Sequence, residues 1–356
     1  MTTPSEKLPT IVLGGTGYVA GELLRLISAH PRLELKAILS DSQPGELVAK
    51  SFSHLAPVYP QLTFSSLEAI TKLVGELPEC AIISAAPHGV AAQLIDGLLK
   101  ASEQKGTRAR VFDISADYRY STASAYEAVY KHPHGAPSRI EQFSCAVPEH
   151  LDALKTKHVA HPGCFATAVL LASVPILKLG FAEPRLFVSG VTGSTGSGRT
   201  PSAGTHHPQR HSDFYAYNPL SHRHTPEISA LTRTAADIEA EFQFVPHSGP
   251  FARGIHVTVQ AQAKKAISTQ ELIEGLTEFY RGKPFVRVSN TMPHVKDVAG
   301  SNYSFLSGAA SANSVAVVCV VDNLVKGAAG GALQWLNRAY GFEETAGLMA
   351  PAAGWT

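Results

Sequence analysis

The chain has 356 residues, 44% of them hydrophobic, and its 30 Lys and Arg balance 29 Asp and Glu to a net charge of +1. That balance excludes a global field drawing the protein to nucleic acid or to an anionic membrane, and it points to a small-molecule partner. The length exceeds one ordinary core and predicts two domains.

The first residues, MTTPSEKLPT, lack the basic region and apolar core of a targeting segment, and no run of about 18 apolar residues follows, so a soluble, cytoplasmic chain is expected. Residues 10 to 30, TIVLGGTGYVAGELLRLISAH, read as a strand, a glycine turn and a helix with Val19, Leu23, Leu26 and Ile27 on one face. Gly14, Gly17 and Gly21 allow backbone N–H groups to approach a pyrophosphate, and the ordinary alternative is a tight turn without ligand. Further strands are predicted at 33–39, 80–87 and 110–115, with a helix after the third. Strands alternating with helices imply a doubly wound parallel sheet. The second strand ends in Ser40, Asp41 and Ser42. The two serines suit the 2′-phosphate of NADP, whereas Asp41 suits the bare ribose of NAD.

Residues 118–150 show weak periodicity and read as a long loop. HPGCFATAVLLASVPILKLG (161–180) reads as a turn and an apolar helix, RLFVSGV as a strand, and 192–228 as a His-, Ser- and Gly-rich loop. A helix is predicted from Pro226 to about Phe242, a capping box at Ser268–Glu271 opens another, and the period-two run GIHVTVQAQ and the buried run SVAVVCVVD are strands. A last helix is expected over 323–340. The second half is thus α+β with a mainly antiparallel sheet.

Four cysteines, with no CxxC pair, suit a reducing compartment. Cys80 and Cys319 lie inside strand-like runs and read as small buried hydrophobes, and Cys145 is left unassigned. Cys164 heads a helix, where the positive end lowers a thiol pKa, so it is the candidate nucleophile; the ordinary alternative is a small turn residue. His222 and His224, in SHRHTPEI, offer an acid/base partner. The 16 histidines suggest zinc, yet no HExxH motif or cysteine pair completes a ligand set, so no metal is expected. Arg199 and Arg253 each neighbour a loop glycine, as anion ligands or as surface arginines.

These residues resemble the N-acetyl-γ-glutamyl-phosphate reductases, similar in plan to aspartate-semialdehyde dehydrogenases. The motifs are GGTGYVAGEL (14–23), DISADYR (113–119), HPGCFATA (161–168), SGVTGSTGSGR (189–199), HRHTPEI (222–228), RGI (253–255) and DNLVKGAAGGALQWLN (322–337). The resemblance implies an NADPH-dependent enzyme of arginine biosynthesis that reduces an acyl phosphate to a semialdehyde through a thioester on Cys164, with His222 first and His224 second as acid/base. It further implies cofactor contacts from Gly14, Gly15, Thr16, Gly17, Tyr18, Val19, Ser40, Ser42, Gly193 and Asn323, and substrate contacts from Arg119, Arg199 and Arg253. A Rossmann-type NADP-binding domain over 1–160 plus 323–356, with 322–340 near Gly14–Gly21, and a catalytic and dimerisation domain over 161–322 follow, as does a homo-oligomer.

The chain departs from the family pattern at His161, where asparagine is usual, at Phe165 for tyrosine, in CAVPE, and at Gly331 for glutamine. The segment RTPSAGTHHPQRHSDFYAYNP (199–219) looks more like lysine-pathway reductases acting on a carrier-bound aminoadipyl phosphate, and an N-succinyl substrate differs only away from the reacting centre. A non-catalytic NADP-binding sensor and a zinc hydrolase are the competing classes.

Overall fold

In the computed structural model, which describes residues 7–354, the apolar run before the glycine turn forms β1 (Leu8–Leu13), with Ile11, Val12 and Leu13 fully buried. In chain order follow α1 (Tyr18–Ser28), β2 (Leu33–Ile38), the one-turn α2 (Val48–Ser51), α3 (Leu67–Glu76), β3 (Glu79–Ser84), α4 (Ala91–Lys105), β4 (Arg108–Asp113), α5 (Ala123–Tyr130), β5 (Phe143–Cys145) and β6 (His158–Ala160). These strands form one sheet, β2-β1-β3-β4-β6-β5, with every neighbouring pair parallel. A strand buried on both faces reads as a continuous apolar run, as β1 and β3 do. Chain direction across the sheet reverses at β1, between β2 and β3, so the turn leaving β1 opens where such sheets bind ligands. This Rossmann-type sheet belongs to one compact unit, made of the chain up to Cys145, Ala153–His161 and Ala332–Met349.

The stretch 118–150 is more ordered than its weak periodicity suggests. Thr122 caps α5 by accepting the Ala125 N–H, buried Tyr126 stacks on Tyr130 at 4.9 Å, and Tyr118 stacks on Phe143 at 3.8 Å. Ring-on-ring burial holds this region, and a test for apolar periodicity does not register it.

The second unit comprises Ala146–Asp152, Pro162–Gly331 and the residues from Ala350 on. It runs through α6 (Cys164–Lys178), β7 (Ala182–Thr192), the one-turn α7 (His207–Arg210), β8 (Tyr215–Ala216), α8 (Thr225–Ala236), β9 (Glu241–Ser248), β10 (Ile255–Ala263), α9 (Thr269–Phe279), β11 (Val286–Val288), β12 (Ser304–Ser311) and β13 (Ser314–Val321). Its sheet has the order β11-β12-β13-β10-β7-β9-β8. It is mainly antiparallel, with β11 parallel to β12 and β7 parallel to β9. α6 is buried from Phe165 through Leu177 and packs on β10 and β13, so its sequence has no polar face. The capping box of Ser268 and Glu271 opens α9 as expected.

Two further expectations change. The helix after Pro226 stops at Ala236 because Asp237 takes a left-handed conformation (φ +57°), and 241–248 is a strand whose buried residues alternate with partly exposed ones. The segment read as one helix over 323–340 is a π-helical turn, Val325–Ala329, followed by α10 (Gly330–Ala339). The Asp322 carboxylate starts that turn by accepting the Leu324 and Val325 N–H groups. Within the first unit, Asn337 meets His30 at 2.8 Å and Tyr340 donates to the Cys80 carbonyl, so this segment's last turn is anchored beyond the far end of α1 from the glycine turn. No helix among the described residues is long and apolar enough to cross a membrane.

Candidate active site

Gly14 leaves β1 with φ +81°, and a Cβ there would lie 2.4 Å from the Ala85 carbonyl oxygen; at Gly15 it would lie 2.5 Å from that of Leu39. Neither position admits a side chain where the turn passes the ends of β3 and β2. At Gly17, by contrast, a Cβ would meet nothing nearer than 3.9 Å. Gly17 is the N-cap of α1, and no side chain caps that helix start. Its N-terminal N–H groups and bare approach fit a pyrophosphate. Thr16 and Val19 are half-buried beside the turn, and Tyr18 is exposed. Past β2, the buried Ser40 hydroxyl accepts the Gln43 N–H at 3.2 Å and lies 3.4 Å from the Ser42 hydroxyl, while Asp41 and Ser42 are exposed. The residues fit a dinucleotide.

In the second unit, Cys164 is the first residue of α6 and is half-buried. Its N-cap, Gly163, donates its N–H at 2.7 Å to Glu227, a fully buried carboxylate in the first turn of α8. α8 itself starts from His224, its N-cap. The two helix starts therefore converge. His222 stands edge-on to Phe165, the neighbour of Cys164, at 5.8 Å between ring centroids, to Phe244 at 5.3 Å and to His224 at 4.8 Å. On another side the π-helical turn comes so close that a Cβ on Gly327 would lie 2.7 Å from the Cys164 Cβ. Cys164 thus stands at the positive end of a helix whose next residue, Phe165, packs against His222.

Burial, with Arg223 adding to it, pushes His222 down to about 4, so the ring is neutral at neutral pH. Its Nδ1 accepts the His224 backbone N–H at 3.2 Å, which assigns the proton to Nε2. Tyr217, edge-on to His222 at 5.7 Å, has its hydroxyl pushed up, by burial first and by the charge of Cys164 second. Cys80 and Cys319 are fully buried strand residues, as their sequences suggest. Burial pushes the Cys80 thiol up to about 12 and that of Cys319 higher still.

Two of the three arginines read as substrate contacts have partners within the protein. Arg119 is buried and donates to the carbonyls of His161 at 3.0 Å and Ile114 at 2.6 Å, which braces the residue before Pro162-Gly163-Cys164. Arg253 forks the buried Asp322 at 3.0 and 3.1 Å. Arg199 is exposed after the turn at Gly193. Asn323, read as a cofactor contact, accepts the Gly254 N–H at 2.7 Å and donates to the Thr195 hydroxyl at 3.0 Å. Gly193 donates to the Gly254 carbonyl at 3.0 Å, so this pair ties the 193–197 turn to residues 252–254.

Glu227 and Tyr217 escaped the sequence reading, whereas Gly327 stands among the glycines of the last segment, whose sequence calls for close packing. A Glu in a first helical turn normally signals a cap for its own helix; here it serves another helix start, 64 residues away. Only the motif TPEI carried it.

A model of the semialdehyde dehydrogenase NAD-binding domain matches residues 10–149, and one of the semialdehyde dehydrogenase dimerisation domain matches 164–323. Solved structures share the fold: aspartate semialdehyde dehydrogenase II from Vibrio cholerae (TM-score 0.69, 13% identity, 94% of this chain and 98% of that one) and aspartate semialdehyde dehydrogenase with NADP from Candida albicans (0.67, 13%, 94% and 99%). The parallel sheet with its glycine turn, the mainly antiparallel second sheet and the helix-start cysteine define a semialdehyde dehydrogenase. Proteins named N-acetyl-gamma-glutamyl-phosphate reductase are similar along nearly the whole length: 37% identity for that of Methanopyrus kandleri (96% of this chain, 97% of the relative) and 36% for that of Nitrosococcus oceani (95% and 97%). The chain belongs to the N-acetyl-γ-glutamyl-phosphate reductase family.

Proposed function

We propose that the protein reduces N-acetyl-γ-glutamyl phosphate to N-acetylglutamate 5-semialdehyde with NADPH and releases phosphate, a step of arginine biosynthesis. The observation that carries this reading is the seat of Cys164: first in α6, its N-cap N–H held by Glu227, with the His222–His224 pair reaching its neighbour Phe165. The thiolate attacks the acyl carbon, the C–S bond forms as the C–O bond to phosphate breaks, and phosphate leaves with that electron pair. A bound reduced nicotinamide supplies hydride to the thioester carbon. The resulting oxyanion re-forms the carbonyl as the C–S bond breaks, which returns the thiolate and frees the aldehyde.

His222 is a fixed Nε2–H donor, since its Nδ1 is occupied and its charged form is suppressed. We therefore assign to His224 the proton exchange with the thiol, in the reverse of the order that the resemblance implies. Gly14 to Val19 hold the pyrophosphate, Ser40 and Ser42 favour a 2′-phosphate, and Gly193 and Asn323 shape the turn behind Arg199, which remains the loop cation for substrate. Residues 1–160 with 323–356 serve the cofactor, and 161–322 serve catalysis and homo-oligomer contacts; domain models over 10–149 and 164–323 support the two main parts, while within the last segment only Ala332–Met349 packs with the first unit. The protein works in the cytoplasm.

The test is Cys164→Ser: phosphate-dependent NADP reduction with N-acetylglutamate semialdehyde is lost, while nucleotide binding by fluorescence titration is kept. Wild-type turnover in the variant overturns the thioester. The same assay with N-succinylglutamate and aminoadipate semialdehydes, with NADP and NAD, reads the acyl group and the cofactor.

A further inference from the structure

The segment 199–219 carries a buried cation, Arg210, to which the steps above give no role. Arg210 ends α7, and its sequence neighbours on both sides are exposed, yet the residue itself is only 8% exposed. Its Nη1 donates to the Asp213 carbonyl at 3.2 Å. Its Nε and Nη2 are buried and meet no acceptor. These two N–H groups share one edge of the planar guanidinium, the fork that fits two oxygens of a carboxylate or phosphate. In Arg253 and Arg25 that edge is filled: Arg253 sets it on Asp322 at 3.0 and 3.1 Å, and Arg25 on Glu22 at 2.9 and 2.7 Å. Asp213 does not fill it, because its carboxylate accepts the Phe214 N–H at 2.9 Å and offers Arg210 only its backbone carbonyl. A guanidinium edge taken out of water with no acceptor is a cost that a bound oxyanion repays.

We propose that the Nε/Nη2 edge of Arg210 is an oxyanion site for the substrate, taking either its unreacting carboxylate or its phosphate. The chain from Arg210 leads within a few residues to Tyr217, which stands edge-on to His222, so the site lies in the segment feeding the reacting centre. The inference rests on the acyl-phosphate reductase reading. It makes Arg210 a specificity-determining residue in the segment that departs from the family pattern.

In the phosphate-dependent direction, semialdehyde and phosphate are separate substrates with separate KM values. Arg210→Gln raises one of them about tenfold or more and leaves kcat and the other nearly unchanged. A rise confined to the semialdehyde assigns the carboxylate, and one confined to phosphate assigns the phosphate. Unchanged KM values, or a loss in kcat alone, overturn the proposal. Arg210→Lys, which keeps the charge without the fork, restores only part of the affinity. Binding is also read without turnover, as the rise in melting temperature given by N-acetylglutamate or by inorganic phosphate; wild type responds to one of them and Arg210→Gln does not. If wild type turns over no N-acetylglutamate semialdehyde but Arg210→Gln still loses that response, the substrate reading fails and the oxyanion site stands. Arg210→Met without ligand melts at or above wild type; a collapse instead makes the cation structural and overturns the site.

Discussion

Gly327 sets how much room Cys164 has. With a Cβ placed 2.7 Å from the cysteine Cβ, Gly327→Ala must push either the π-helical turn or the nucleophile. The expected outcome is a drop in kcat of about tenfold or more with a stability loss of about 1–3 kcal/mol, read by steady-state kinetics and thermal melting. Arg253 and Arg199 separate on the same measurements. Arg253→Met removes the cation from the fully buried Asp322 carboxylate, which keeps only its backbone N–H donors, and lowers stability by about 3 kcal/mol, whereas exposed Arg199→Met changes stability by less than about 0.5 kcal/mol and shows only in substrate KM. The glycine turn and Cys164 were legible in the sequence because a strand, a turn and a helix start are local patterns. The arginines were not, because the partner of Arg253 lies 69 residues away and that of Arg119 lies 42 residues away.

The π-helical turn owes its place to charge as well as to packing. Lys326 within it and Glu149 are both fully buried and meet at 2.5 Å. Lys326→Met removes the buried cation beside Glu149 and is expected to cost about 3–5 kcal/mol in denaturant unfolding; adding Glu149→Leu recovers most of that, and a double variant no better than the single one rules the pairing out as the cause. Such a turn is invisible to periodicity, since residues 323–340 carry one continuous helical pattern and only the cap at Asp322 and the close glycines bend it into a different spiral. Strand β9 was missed for a related reason. EFQFVPHS follows a helix without a Gly or Pro stop, and the break comes from Asp237 adopting the left-handed region, which Asp tolerates better than most residues.

Acid response follows from groups buried in both units. Burial pushes His150 and His158 down to about 3 and His222 to about 4, and pushes Asp113 up to about 6. Each histidine is neutral in the fold but takes a proton near 6.5 when unfolded, so its contribution is lost as pH falls below 6.5 toward those values. Asp113 works the other way: its protonation in the fold relieves a buried charge, so stability is regained as pH falls through 6. Three groups against one leave a net loss, with each histidine costing about 1.4 kcal/mol per pH unit. Calorimetric melting temperature is expected to fall steadily from pH 6.5 to 4.5, and a flat or rising trend would contradict these environments.

Synthesis runs from the N-terminus, whereas the first unit is closed by residues made late. Leu333, Trp335 and Leu336 are fully buried and belong to Ala332–Met349, the last segment of that unit. On the ribosome, the parallel sheet that emerges first must wait for these residues while 162–331 is translated. The first unit is therefore completed only once the second has been made, and the stretch after Gly331 is its latch.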